Sequence, residues 1–206
     1  MGANWDGWDP VPALAAAVES VCALRPAPDA VLVSGDLAEH AADAEYEAVR
    51  ELLAPIDAPI YVLAGNHDDR AALRRHFDLP GVDGEPVQYA AELGPLRLVA
   101  LDTTRPGEDP GALDAERLSW LDSELAAVVE RHPQVRRIVA GHMHRAITAE
   151  LAGRAVLAVP STYMQARLDF VTQRLVTVPE PAGFAVHALL DGEVVSHVQQ
   201  VEDRTQ

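Results

Sequence analysis

The sequence predicts an α/β fold, and three observations carry that prediction. Helical and strand periodicities alternate from residue 10 to about residue 140. Three short apolar runs each stop at a glycine and are followed at once by polar side chains, at Gly35, Gly65 and Gly141; open α/β sheets place ligands at the carboxyl ends of their strands in this way. From residue 154 onward the pattern turns to strands alone, with Asp191-Gly192 set between two β-forming runs as a hairpin turn.

Taken in order, residues 1–10 are polar, Gly-containing and Trp-bearing, a loop without a strand. Asp9 and Pro10 read as N-cap and first position of a helix. Leu14, Val18, Val21 and Cys22 share its inner face, and it stops before Pro26. Cys22 is expected there as a small core residue. Ala30 to Val33 is a strand running into Ser34-Gly35-Asp36. A second helix spans Asp43 to Leu53, with Tyr46, Val49 and Leu53 in register and Pro55 beyond its end. Ile60 to Ala64 is a buried strand; Gly65 turns the backbone, and Asn66, His67 and Asp68 follow. Read alone, Asp68 is equally a helix cap for the short Arg-rich helix near 70–77.

Residues 78–95 read as a loop with one strand around Val87 to Ala90, and Leu96 to Leu101 is a firmer strand ending in Asp102-Thr103-Thr104. A Pro/Gly loop at 105–112 leads to a helix from Asp114 to about Arg131, with Leu118, Leu121, Leu125 and Val128 as its buried stripe. Arg137 to Ala140 is a strand running into Gly141-His142-Met143-His144. Phe184 to Leu190 and Val194 to Val198 form the closing hairpin.

At 206 residues the chain has the size of one domain, 1–206, with the hairpin at about 184–198 as its C-terminal element. The formal net charge is −16, and every one of the 16 basic residues is Arg. Such a surface repels nucleic acid polymers and anionic membranes, so neither is expected as a partner. An anionic phosphate substrate would need a local cation to overcome that field. Cys22 is the single cysteine, which excludes a disulfide framework and a thiolate metal cluster. No apolar run approaches membrane-spanning length and the N-terminus lacks a secretory pattern, so the expected location is cytoplasmic.

The three polar clusters have a shared chemical reading. Asp36 supplies a hard anionic oxygen that can bridge two cations, and Asn66 offers a neutral oxygen to one of them. On extended backbone His142 and His144, two residues apart, project to one side about 6.6 Å from each other, a spacing that straddles a pair of metals. His67 directly follows a candidate ligand and would lie beside a bound phosphate, able to give a proton to a leaving oxygen. Mixed oxygen and nitrogen donors without thiolate suit Mn, Fe or Zn. Gly-Asp after a strand is common, and paired histidines can be surface decoration. In this order at three strand ends, the residues point to one metal site.

At these residues the chain resembles the calcineurin-like metallophosphoesterase superfamily, whose motif series is D-x-H, G-D, G-N-H-[DE], a lone His after a later strand, and G-H-x-H. Val159-Pro160-Ser161-Thr162 and the stretch from Phe184 to His197 resemble most the cyclic-nucleotide phosphodiesterase (class III) branch. The resemblance implies an αββα sandwich and two divalent metals. It makes Asp36 the bridging ligand, Asn66 and His142 ligands of the second metal, His144 a ligand of the first, and His67 the catalytic histidine. The implied activity is metal-dependent hydrolysis of a small phosphodiester, such as a 3',5'-cyclic nucleotide, by metal-activated water.

Two motifs of the series are missing. The chain begins at Met1-Gly2-Ala3-Asn4, in the loop that would follow D-x-H, so a strand carrying that motif would have to lie upstream. Between Leu121 and Arg137 the residues read as continued helix, with no strand for the lone His. His132 precedes Pro133 at the helix end, where the dipole accounts for it. The expected sandwich is therefore truncated at its N-terminus and shortened internally.

With the D-x-H pair and one histidine gone, the donors suffice for at most one tightly bound divalent metal, held by Asp36, Asn66 and His142. His40, His76, His187 and His197 are the remaining histidines that could substitute, the first two expected as solvated residues and the last two as sheet residues of the tail. The alternative function is a catalytically impaired family member that binds one metal or a phosphate ligand without efficient turnover. Missing strands would also leave apolar faces uncovered, which favours self-association into a homo-oligomer.

Overall fold

A computed structural model describes residues 9–125, 135–168 and 176–201. The first part of the chain folds as two helix–strand pairs and a third helix. Helix α1 (Pro10–Cys22) starts where the Asp9 carboxylate accepts a hydrogen bond from the Val11 N–H at 3.0 Å. Strand β1 (Val31–Val33), helix α2 (Asp43–Leu53), strand β2 (Ile60–Val62) and helix α3 (Arg70–Phe77) follow. β1 and β2 run parallel, with Val31 opposite Ile60 and Val33 opposite Val62. Tyr46 and Leu73 are fully buried between these elements, with Val18, Val49, Leu53, Val62 and Val87 around them. Apolar packing of this kind fixes where β1 and β2 end, and so where the polar clusters begin.

Strands β3 (Tyr89–Leu93) and β4 (Leu96–Ala100) form an antiparallel hairpin. The strand expected around Val87 to Ala90 is thus displaced toward the C-terminus. Val87 lies ahead of it, fully buried, with its N–H given to the Asp102 carboxylate at 2.8 Å rather than to a neighbouring strand. Helix α4 (Ala115–Leu125) leads to a second sheet in the order β5 (Ile138–Ala140), β7 (Arg154–Ala158), β6 (Ile147–Leu151). β5 is parallel to β7, and β6 is antiparallel to it. Two-residue strands β8 (Gln165–Ala166) and β9 (Thr177–Val178) pair with each other. The hairpin of β10 (Gly183–Leu190) and β11 (Glu193–Gln200) closes the described chain. Its turn residues Asp191 and Gly192 both have positive φ, 51° and 84°, as a two-residue turn matched to strand twist requires.

Three expectations are corrected. Cys22 is exposed, its sulfur 3.5 Å from the Pro55 carbonyl, because the last turn of α1 runs past the core. Of the stripe on α4, Leu118 is 43 % exposed and Leu121 half-buried, while Arg117, on the neighbouring position, is 6 % exposed. The Arg117 guanidinium reaches the carbonyls of Thr104 and Ala112 at 3.0 and 3.1 Å, so α4 is anchored by hydrogen bonds. His76 is not solvated; it stacks on Tyr46 and meets Asp43 at 2.8 Å. The expected loop at residues 1–8, the Leu125 side chain, Val128, Arg131 and His132 lie outside the described residues. No described helix is long and apolar enough to cross a membrane.

Candidate active site

The ends of β1, β2 and β5 meet at three glycines. A methyl group at Gly35 would overlap the backbone of Gly65, and one at Gly65 would overlap the Asp36 carboxylate. One at Gly141 would fall 2.5 Å from the Ser34 hydroxyl. Backbone therefore approaches backbone without a side chain between, which is how residues from three separate strands reach one place.

Strain marks the same spot. Asp36, His142 and His144 all adopt left-handed backbone, with φ of 55°, 68° and 45°. The expected extended backbone at the two histidines is corrected here: β5 ends at Ala140, and the Met143 N–H turns back to the Gly141 carbonyl at 2.8 Å. Their separation is set by a tight turn and not by a strand repeat.

The structure brings the five predicted side chains together. The Asp36 carboxylate accepts the His67 N–H at 3.2 Å. Nδ1 of His142 lies 3.2 Å from Oδ1 of Asn66. His144 is half-buried, and burial holds its imidazole below the usual histidine range; Asp36 pulls the other way, and His142 and His67 push further down. His67 is exposed, with Nδ1 3.7 Å from a Glu39 carboxylate oxygen. His40, His76, His187 and His197 have other surroundings. His40 lies 3.6 Å from Glu45, His76 is bound to Asp43, and the last two sit on β10 and β11.

Three contributors are given no site role by the sequence. Asp68 does not cap α3; the adjacent Asp69 does, accepting the Ala72 N–H at 2.8 Å. The Asp68 carboxylate instead accepts N–H groups from Leu37, Ala38 and Gly65 at 3.0, 3.2 and 2.9 Å, clamping the β1 loop to the β2 loop. Burial pushes its carboxyl up to about 6, against the pull of those donors and with the Asp36 charge adding to the rise. The signal was two consecutive aspartates, and helix phase alone does not say which one caps. Glu39 and Asp109 are the others; Asp109 Oδ1 accepts from Nδ2 of Asn66 at 3.5 Å. Nothing in a Pro/Gly loop pattern singles Asp109 out.

Among the described residues no three His, Cys, Asp or Glu side chains are gathered tightly enough to hold a metal ion. The donors of suitable chemistry are nonetheless adjacent. Asn66 Oδ1 and His142 Nδ1 face one another beside Asp36, so a small rotation of each would turn both toward one borderline cation. Of the five predicted residues, Asp36 and His144 are those left for a second. The donor chemistry of Asp36, Asn66 and His142 suits one ion.

A family model described as calcineurin-like phosphoesterase matches residues 7–146 of this chain. The chain is 26% identical to the 3',5'-cyclic adenosine monophosphate phosphodiesterase of Pseudomonas aeruginosa, over 98% of this chain and 85% of that protein. That alignment runs over 240 positions against the 206 residues of this chain, so the relative carries at least 34 residues within it that this chain lacks. Identity is 33% to the cAMP/cGMP dual specificity phosphodiesterase of Mycobacterium tuberculosis, over 63% of this chain and 43% of that one. It is 27% to a probable glycerophosphodiester phosphodiesterase of Arcobacter nitrofigilis, over 71% and 67%. Among solved structures, zinc-complexed Vps29 from Entamoeba histolytica superposes with a TM-score of 0.41 at 15% identity, over 90% of this chain and 88% of that chain.

Proposed function

The chain belongs to the calcineurin-like phosphoesterase family, and from that premise we propose that it hydrolyses a small phosphodiester, a 3',5'-cyclic nucleotide being the leading candidate, with the help of a divalent cation. The observation that supports this reading is the meeting of Asp36, Asn66, His67, His142 and His144 at three adjoining strand ends. Relatives whose names specify cyclic-nucleotide or glycerophosphodiester hydrolysis favour a diester over a monoester.

Asp36, Asn66 and His142 would hold the ion, with Mn, Fe or Zn matched to such donors. When bound, it supplies Lewis acidity and neutralises charge on the phosphoryl oxygens. The chain's own groups do the rest. The Asp36 carboxylate fixes the His67 backbone at 3.2 Å, and the exposed ring is left at the mouth of the site. Glu39 lies 3.7 Å from Nδ1, which leaves Nε2 as the nitrogen whose proton would be given to a departing alkoxide. The chain's net charge of −16 opposes an anionic substrate, which makes the cation a condition of binding as well as of chemistry. We propose a cytoplasmic location, in keeping with a cyclic-nucleotide substrate, which subcellular fractionation tests.

The experiment is elemental analysis of the Mn-loaded, dialysed chain, with parallel assays on an aryl phosphodiester and on 3',5'-cyclic AMP. Asp36→Asn is expected to lose both metal and activity. His67→Ala is expected to keep its metal and lose about 10²–10⁴-fold in turnover. Metal content unchanged by Asp36→Asn would sink the site as drawn. A second reading, one bound cation without efficient turnover, is favoured by the donor set that fits a single ion and by the residues lacking relative to the Pseudomonas relative. One metal per chain with hydrolysis no faster than free Mn²⁺ would select it.

A further inference from the structure

We propose that Asp109 is a positioning residue, which sets the side-chain amide of Asn66 with its oxygen toward the cation; the assignment rests on the metal-binding reading above. An asparagine amide has an acceptor end and a donor end of nearly the same shape, and its partners decide which end faces which way. His142 cannot decide it, because a ring nitrogen can donate or accept according to tautomer. An ionised carboxylate only accepts. Asp109 Oδ1, at 3.5 Å from Nδ2 of Asn66, therefore places the NH₂ group on its own side and leaves Oδ1 facing His142, where a ligand oxygen is needed.

The loop that carries Asp109 is built to hold it there. Its ends close through the Ala112 N–H and the Thr103 carbonyl at 2.8 Å, and Arg105 and Glu108 pair across it at 2.6 Å. At its base the fully buried Asp102 accepts Nε of Arg70 at 2.8 Å, the Thr104 N–H at 2.8 Å and the Thr104 hydroxyl at 2.7 Å. The Thr104 carbonyl takes guanidinium donors from Arg70 and Arg117 at 3.1 and 3.0 Å. Arg70 opens the helix just after Asn66, so one guanidinium ties together the two segments whose side chains meet. A buried ion pair is a poor way to gain stability and a good way to fix a geometry.

The test is calorimetric titration of the full chain with Mn²⁺, with the melting temperature of the metal-free chain measured alongside. Asp109→Ala is expected to weaken Mn²⁺ binding about 10- to 100-fold, the usual effect of losing a residue that orients a ligand. The metal-free melting temperature is expected to stay unchanged. Asp109→Glu keeps an acceptor-only carboxylate and is expected to bind within about threefold of wild type, by the same comparison. Wild-type affinity in Asp109→Ala, or a fall in its metal-free melting temperature, overturns the assignment. Equal loss in both variants overturns the hydrogen-bond account. A wild-type chain that takes up no Mn²⁺ overturns the metal-binding reading itself, and the two failures are thereby told apart.

Discussion

The stretch from α1 to Val87 and the stretch from α4 to β11 are built to different standards. In the first, eleven buried residues form one cluster, with Tyr46, Leu73 and Val87 fully buried. In the second, Leu157, Ala158, Met164 and Val201 are the buried apolar residues described, while Leu118, Val139, Met143, Ile147, Leu151, Leu168, Leu190 and Val195 are exposed. The site straddles the two, since Asp36, Asn66 and His67 stand on the packed part and His142 and His144 on the thin one. Precision of a ligand follows from the packing beneath it. The packed part should keep its donors in place whether or not metal is present, and the thin part should need the ion to settle.

The widest separation is expected from truncations. Leu73→Ala should cost about 2–5 kcal/mol, as a fully buried leucine does, whereas Leu151→Ala should change stability by no more than about 0.5 kcal/mol. Chemical denaturation of the two variants reads this directly, and equal losses would erase the contrast. Next comes association. Leu151 stands at the end of β6, whose five residues are all exposed along one edge of its sheet. Leu151→Glu should shift any homo-oligomer toward monomer in ultracentrifugation, without lowering the melting temperature.

The smallest effect concerns pH. Burial, and then the Arg137 charge, hold the His187 imidazole below the usual histidine range, while its Nδ1 lies 2.8 Å from the Ser196 hydroxyl. The unfolded chain therefore binds this proton more readily than the folded one. Stability is lost as pH falls through the ordinary histidine range and is regained above it. Urea melts of His187→Gln should show a flatter dependence in that window. An unchanged slope would remove His187 from the account.

Much of the first part was legible because its signals are local. Asp9-Pro10 is a cap followed by a ring that suits the first helical position, and the apolar spacing of Tyr46, Val49 and Leu53 leaves little choice of helix face. Asp191-Gly192 dictated its hairpin for the same reason, a turn that needs two positive φ values. Leu118 was misread as buried because periodicity names a face without saying what lies opposite. Leu118 has the right spacing and no cover, while Arg117 found carbonyls to bury against. The polar strand ends announced Asp36, Asn66, His67, His142 and His144. Asp68 and Asp109 act through tertiary contacts 30 to 43 residues distant in sequence, beyond the reach of any window.

The closeness of Gly35 and Gly65 offers a way to separate possession of ligands from their arrangement. A single methyl at Gly65 would wedge the two strand ends apart while leaving every donor side chain in the protein. Gly65→Ala is thus a scrambled-geometry control, a chain with the full chemical inventory of the site and none of its layout. Set beside Asp36→Asn, it asks whether the inventory or the layout makes the site.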